Sequence, residues 1–329
     1  MISDWDPAPP DRPAIPQDGL RRALSEGLVF LATAGHRMTE VTAPHYPNDE
    51  SPAAFNLLEE ESWAVPTVNE MPIREASQTI YLTMTSGHDH MQTLGLALAM
   101  RRDLGTSLMT VIRGALEAYA RCYFLMGDLS TRGILVRYLA SRRSVLDYGA
   151  RELRVDGIRR ATEFSDASRE MLEKVEQLAT AWSISTEEIN PTRPGAGVQQ
   201  LLVFYNESSG YNVPTDLYSL LSETAHAETI GFRFFMTGTG VFANDGQEAM
   251  QFGLDYDYLI LFLQVLVGVH EHVMTRYLDY CGATAEQRAD WTQAILNAKG
   301  NIPYLVDETP DWSTESEVSA TEGPDVGDA

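Results

Sequence analysis

Three ionisable residues, Arg113, Glu117 and Arg121, interrupt an otherwise apolar run between 108 and 126. Their i, i+4, i+8 spacing places them within roughly 80° of one another on a helix, so they form one polar stripe on a greasy rod. Charges in such a place cost free energy unless they pair or face water. Two chemistries satisfy that demand. One is an ion-pair ladder in which Glu117 bonds both arginines, or Arg137 of the following helix. The other is a polar pocket that grips an anionic ligand or a catalytic group. A second stripe is formed by Ser219, Ser222, Glu223 and His226 at i+3 and i+4 steps, flanked by Leu217, Leu220, Leu221 and Ile230. His226 there is a candidate general base, a ligand, or a hydrogen-bonded core residue. The candidate catalytic residues are therefore His226, Arg113 and Glu117, and the candidate ligand-binding residues are Arg121, Arg137, Ser222 and Glu223.

Glu223-x-x-His226 has the spacing of one half-site of a carboxylate-bridged di-iron bundle. That chemistry also needs a second Glu-x-x-His, which the sequence lacks, so no metal or other cofactor is expected. His88-Asp89-His90 reads as an exposed cap in the first turn of a helix, its neighbours pointing about 100° apart. His270 and His272 fall on opposite faces of their helix, so one of them faces the core. The glycines at 238 and 240 are followed by no lysine and preceded by no predicted strand, which leaves little of a phosphate-binding loop.

The elements that must position these residues are helices. Leu20, Leu24, Leu28 and Leu31 predict a helix over about 18–34. Further helices are predicted over about 86–102, 108–126, 130–155, 166–182, 197–206, 215–236, 255–280 and 284–298. Between 35 and 85 no helical or alternating period lasts ten residues, His45 to Pro52 has turn chemistry, and Ile80 to Met84 reads as a short extended piece. This stretch is expected to wrap irregularly across the surface. A Gly-rich loop is expected over 237–246. Thr284-Ala285-Glu286-Gln287 has the pattern of a capping box. The fold class is all-α, a multi-helix bundle over 86–306 with a long irregular N-terminal segment. Residues 1–17, with five prolines, and the acidic tail 307–329 are expected to be disordered.

Composition narrows the function classes. Two cysteines among apolar neighbours, with no CxxC, signal neither a disulfide framework nor a zinc site and fit a reducing, cytoplasmic setting. The start of the chain has neither the basic nor the apolar region of a secretory signal. The most apolar stretch, Tyr258 to Val269, is about a dozen residues, against about twenty for a membrane span, so a core helix and no membrane partner are expected. The net charge of −23 repels nucleic acid, although residues 101–160 carry 12 arginines against 6 acids and leave a basic face available. The expected partners are a second copy of the chain, packed through the apolar helix near 255–280, and an anionic small molecule.

One set of residues resembles a known group. His90-Met91-x-x-Leu94, then Ser107-Leu108-x-x-x-x-Arg113-x-x-x-Glu117-Ala118-x-x-Arg121-x-x-Phe124-Leu125-Met126 with Arg132 and Arg137, and later Tyr218-x-x-x-Ser222-x-x-x-His226, resemble an uncharacterised α-helical protein family of high-GC Gram-positive bacteria. The resemblance covers about 86–150 and 214–235. It implies a helical fold in which the Arg/Glu helix packs on the Ser/His helix, and it implies no reaction. More distantly, the arrangement resembles the HEPN superfamily of helical bundles, some of which are metal-independent, dimerising ribonucleases. Their signature, an arginine four to six residues before a histidine on one helix, is missing before His226, His270 and His272.

Three functions are compatible with the two stripes. The first is a binding or regulatory helical module with an Arg/Glu/His cleft. The second is a ribonuclease or other hydrolase in which His226 is the base and Arg113 or Arg121 stabilises the developing anion. The third is a metal-binding bundle built on Glu117, Glu223 and His226.

Overall fold

A computed structural model describes residues 17–44, 47–62, 71–100, 105–150, 159–190, 194–209, 213, 217–225, 236–242, 248–252 and 256–301. Among these residues the chain forms ten helices and one hairpin. They are α1 (Gln17–Val41), α2 (Pro52–Ser62), α3 (Pro72–Ala99), α4 (Gly105–Leu125), α5 (Thr131–Ala150), α6 (Arg159–Ala181), α7 (Pro194–Ser209), α8 (Leu217–Ala225), β1 (Met236–Phe242), β2 (Glu248–Phe252), α9 (Tyr256–Cys281) and α10 (Ala285–Asn301). The all-α multi-helix bundle read from the sequence is the fold that forms. The expectations for residues 1–16 and for the acidic tail lie outside the described residues.

Helix α4 is the hub, packing against α3, α5, α7, α8 and α9. Its Leu108, Ile112, Ala115, Leu116, Tyr119, Cys122 and Leu125 recur at helical spacing and are buried. Leu20, Leu24, Leu28 and Leu31 of α1 are buried against α3 as their period predicts. The two helices approach closely at Gly95, where an added Cβ would stand 2.8 Å from Val29 Cγ2. Ser25 Oγ donates to the Gly95 carbonyl at 2.7 Å, so this crossing is held by a hydrogen bond as well as by packing.

Between 35 and 85 the structure differs from the sequence reading. Helix α1 continues to Val41, α2 follows, and α3 starts at Pro72, well before Ser86. The causes are caps. Ser51 Oγ accepts from the Ala54 amide at 3.0 Å with Pro52 at the first helical position, an N-cap hidden in what resembles a turn. Helix α3 has no side-chain cap at Met71; instead the Glu60 carboxylate of α2 accepts from the Ile73 and Arg74 amides at 2.7 and 3.1 Å. A carboxylate at that end satisfies orphan donors and complements the helix dipole. Ile80 and Met84, expected in an extended piece, are buried one turn apart on α3.

A second difference lies near 237–246. Where a glycine loop was expected, β1 pairs antiparallel with β2, placing Met236 opposite Phe252, Gly238 opposite Met250 and, across an irregularity, Phe242 opposite Glu248. The irregularity breaks the two-residue alternation by which strands are recognised. Helix α9 is longer than the dozen apolar residues counted from sequence: Leu259–Cys281 is long and apolar enough to span a bilayer by composition, but 61% of that window is buried inside the bundle. It packs on α2, α4 and α7, as a core helix does, and the apolar face proposed for a dimer is used internally.

Two helices end in the same left-handed motif. After α9, Gly282 has φ +69° and Ala283 donates to the Leu278 carbonyl at 2.9 Å; after α6, Ser183 has φ 54° and Ile184 donates to the Ala179 carbonyl at 2.8 Å. Glycine takes this conformation freely, whereas a residue with a Cβ is strained by about 1–2 kcal/mol. Part of that gain is offset by glycine's greater freedom in the unfolded chain. Ser183→Gly is therefore expected to raise the urea unfolding free energy by about 0.5–1 kcal/mol, and a decrease would contradict the strain argument. Beyond Gly282 the expected capping box forms, with Thr284 N donating to Gln287 Oε1 at 2.8 Å and Gln287 N to Thr284 Oγ1 at 3.2 Å.

Candidate functional site

A cavity of about 530 Å³ lies between α3, α4 and α5 and reaches Gly197 of α7. Each wall is one face of a helix. From α3 come Thr79, Leu82, Thr83, Ser86 and His90 at steps of three or four; from α4 come Gly114, Glu117, Ala118, Arg121 and Phe124; from α5 come Ser141, Ser144 and Val145. Gly114 and Ala118 supply the hollow, since their neighbours on the stripe are long. A Cβ at Gly114 would lie 2.9 Å from His90 Cε1, so the missing side chain is what lets the imidazole lie on α4. The volume is that of an ordinary small-molecule pocket.

The charged stripe of α4 divides into two roles. Arg113 Nε donates to Glu117 Oε1 at 2.9 Å, Arg113 Nη2 donates to Tyr218 OH at 3.2 Å, and Tyr218 OH donates to the same Glu117 oxygen at 2.6 Å. This three-membered clasp fastens α4 to α8. Burial draws the Arg113 pKa down, but the hydrogen bond and charge of Glu117, with help from Tyr218, outweigh it and leave the value raised. Burial and the bond to Glu117 push the Tyr218 hydroxyl up, keeping it a donor. The ladder reading is thus realised for Arg113, with one correction: the second partner of Glu117 is Tyr218, not Arg121 or Arg137.

Arg121 stands apart. It lines the cavity and makes no hydrogen bond or ion pair among the described residues. Although Arg121 is exposed to solvent over part of its surface, partial burial lowers its pKa from the ordinary value and the neighbouring Tyr138 partly offsets that, and the guanidinium keeps its charge. Arg137 is outside the cavity wall, its guanidinium carbon 5.9 Å from the Phe124 ring centroid in a cation–π contact. Ser222 and Glu223 are half-buried on α8 and do not line the cavity. His226 lies outside the described residues, so its proposed meeting with Arg113 and Glu117 has no geometry here. Among the described residues, no group of three or more His, Cys, Asp and Glu side chains is placed to hold a metal ion.

Sequence reasoning missed His90 and the hydroxyl row of α3. The signal was present, because residues 79, 83, 86 and 90 share one helical face, but it is visible only once 72–99 is read as one helix. His88-Asp89-His90 is not an exposed cap. Its three side chains diverge in the middle of α3: His90 enters the cavity, Asp89 lies 3.1 Å from His36 Nε2, and His88 is fully buried.

His88 belongs to a second polar cluster, sealed in the core. Its Nε2 lies 3.0 Å from Thr39 Oγ1 and its Nδ1 3.3 Å from Tyr119 OH, which donates to Met91 Sδ at 3.0 Å. A neutral ring protonated on Nδ1, accepting from Thr39, satisfies every group. The His270 ring lies 5.0 Å from His88 and 5.2 Å from Trp291, and it stacks on Tyr119 at 5.1 Å. Among the described residues, both His270 nitrogens are buried without a hydrogen-bond partner. Burial, and then the neighbouring His36, hold its pKa down at about 3; burial, His270 and His36 hold His88 well below the ordinary value. Both cysteines are buried free thiols, and burial pushes Cys122 up to about 12, so neither is poised as a nucleophile.

No protein-family model matches the sequence, and no curated protein or solved structure matches it.

Proposed function

We propose that the protein is a cytoplasmic ligand-binding helical module whose cavity between α3, α4 and α5 takes a small anionic molecule with an apolar body. The observation that carries this reading is the guanidinium of Arg121, which lines a 530 Å³ cavity with no carboxylate paired to it among the described residues. The walls are suited to such a molecule. Leu82, Phe124 and Val145 give apolar surface, Leu82 and Val145 being largely exposed, while His90 and the hydroxyls of Thr79, Thr83, Ser86 and Ser141 give directional contacts. Two buried free thiols and no pairing between them support the cytoplasmic setting. The hydrolase reading loses Arg113, which is committed to Glu117 and Tyr218, and would rest on Arg121 alone.

Anilinonaphthalene sulfonate, an apolar anion that brightens when shielded from water, tests this reading on the full chain. Saturable binding to the native protein is expected, weakened about tenfold to a hundredfold in Arg121→Ala, the range of one charge-assisted hydrogen-bonded anchor. Unchanged binding in that variant, with the helical circular dichroism intact, would overturn the proposal.

A further inference from the structure

The cavity wall holds a negative charge as well as a positive one. Glu117 and Arg121 both line it, one helical turn apart, where side chains on a helix are neighbours at about 5–6 Å between Cβ atoms. At that spacing a glutamate and an arginine ordinarily pair with each other. Here they do not: Glu117 Oε1 instead accepts from Arg113 and Tyr218. Glu117 Oε2 has no partner among the described residues. The result is a cation and a held carboxylate that line one hollow without pairing with each other. A ligand that carried only an anion would leave that carboxylate beside its own charge.

We infer that the site is built for a zwitterion, an α-amino acid with a large aromatic side chain. This rests on the anion-binding reading above. The α-carboxylate accepts from Arg121 and the α-ammonium donates to Glu117 Oε2, two charges on one carbon matched by two charges one turn apart. The side chain lies along Phe124, Leu82 and Val145. The hydroxyls of α3 and α5 are within the same cavity and accept from a ring N–H. Thr83 Oγ1, for instance, already donates to the Thr79 carbonyl at 2.8 Å and keeps its lone pairs for accepting.

The test is calorimetric titration of the full chain with L-tryptophan, with indolepropionate (the same body without the ammonium) and with tryptamine (without the carboxylate). L-tryptophan is expected to bind at least tenfold tighter than either analogue. Glu117→Gln is expected to abolish the preference for L-tryptophan over indolepropionate, and Arg121→Gln to abolish the preference over tryptamine. A thermal melt of each variant confirms that it is folded. If indolepropionate binds as tightly as L-tryptophan, with both dependent on Arg121, the zwitterion inference is overturned and the anion-binding reading stands. If tryptamine binds as tightly as L-tryptophan and Arg121→Gln changes nothing, both fail. If L-tryptophan does not bind while anilinonaphthalene sulfonate binds through Arg121, the inference fails alone.

Discussion

Gly87→Ala is expected to destabilise the protein by about 2 kcal/mol, the net of two opposed effects. In the interior of a helix the change to alanine gains about 1 kcal/mol of propensity. Against this, the new Cβ would stand 2.7 Å from Tyr119 Cζ and closer still to Cε1, and overpacking of a filled core costs about 1–3 kcal/mol. The upper end applies because the Tyr119 ring has nowhere to go. It is fully buried, stacked on His270, and anchored through its hydroxyl to Met91 and His88. Gly300→Ala provides the contrast, since among the described residues nothing lies within 4 Å of the added atom and the propensity gain is unopposed. Urea midpoints for the two variants should therefore move in opposite directions. A stabilised Gly87→Ala protein would show that α3 and α4 do not cross as described.

The second large effect is acid sensitivity arising from the sealed histidines. In the unfolded chain a histidine takes up its proton near pH 6.5. In the native core His270 stays neutral down to about 3, and His88 is also held well below the ordinary value. The unfolded state therefore binds more protons than the native state throughout that window. Stability is fully present above pH 6.5 and is lost as pH falls, by up to about 1.4 kcal/mol per pH unit for each histidine. By pH 4.5 His270 alone removes about 2.7 kcal/mol, a large share of the stability of a marginal domain, and His88 acts in the same direction. Glu60 works the other way, because burial raises its pKa and the native state gains a proton there first. Of the groups facing the cluster, His36 is paired with Asp89 near the surface, and Tyr119, Tyr277 and Cys122 are all raised and stay neutral at these pH values. The expected result is an unfolding free energy that declines steadily from pH 6.5 to 4.5, with a shallower slope in His270→Leu. A flat profile over that interval would mean that the cluster is open to water.

The sequence made the rods legible more readily than their meeting points. The leucine period of α1 and the apolar faces of α4 and α9 are written locally, and they fold as read. The start of α3 is not local: Glu60 supplies its cap from another helix, and Pro72 alone reads equally well as a turn. Missing that start concealed the row 79, 83, 86 and 90, and with it half of the cavity. The stripe of Arg113, Glu117 and Arg121 could be found by spacing. Its division into a clasp and a free anchor could not, because the deciding partner, Tyr218, is 101 residues away in the chain. The hairpin at β1 and β2 escaped because its register is broken between Gly238 and Phe242.

Glu117 lines the cavity while one of its carboxylate oxygens accepts from Arg113 and Tyr218 in the clasp. The cavity wall and the first turn of α8 therefore share one side chain, and a change at Glu117 touches both at once.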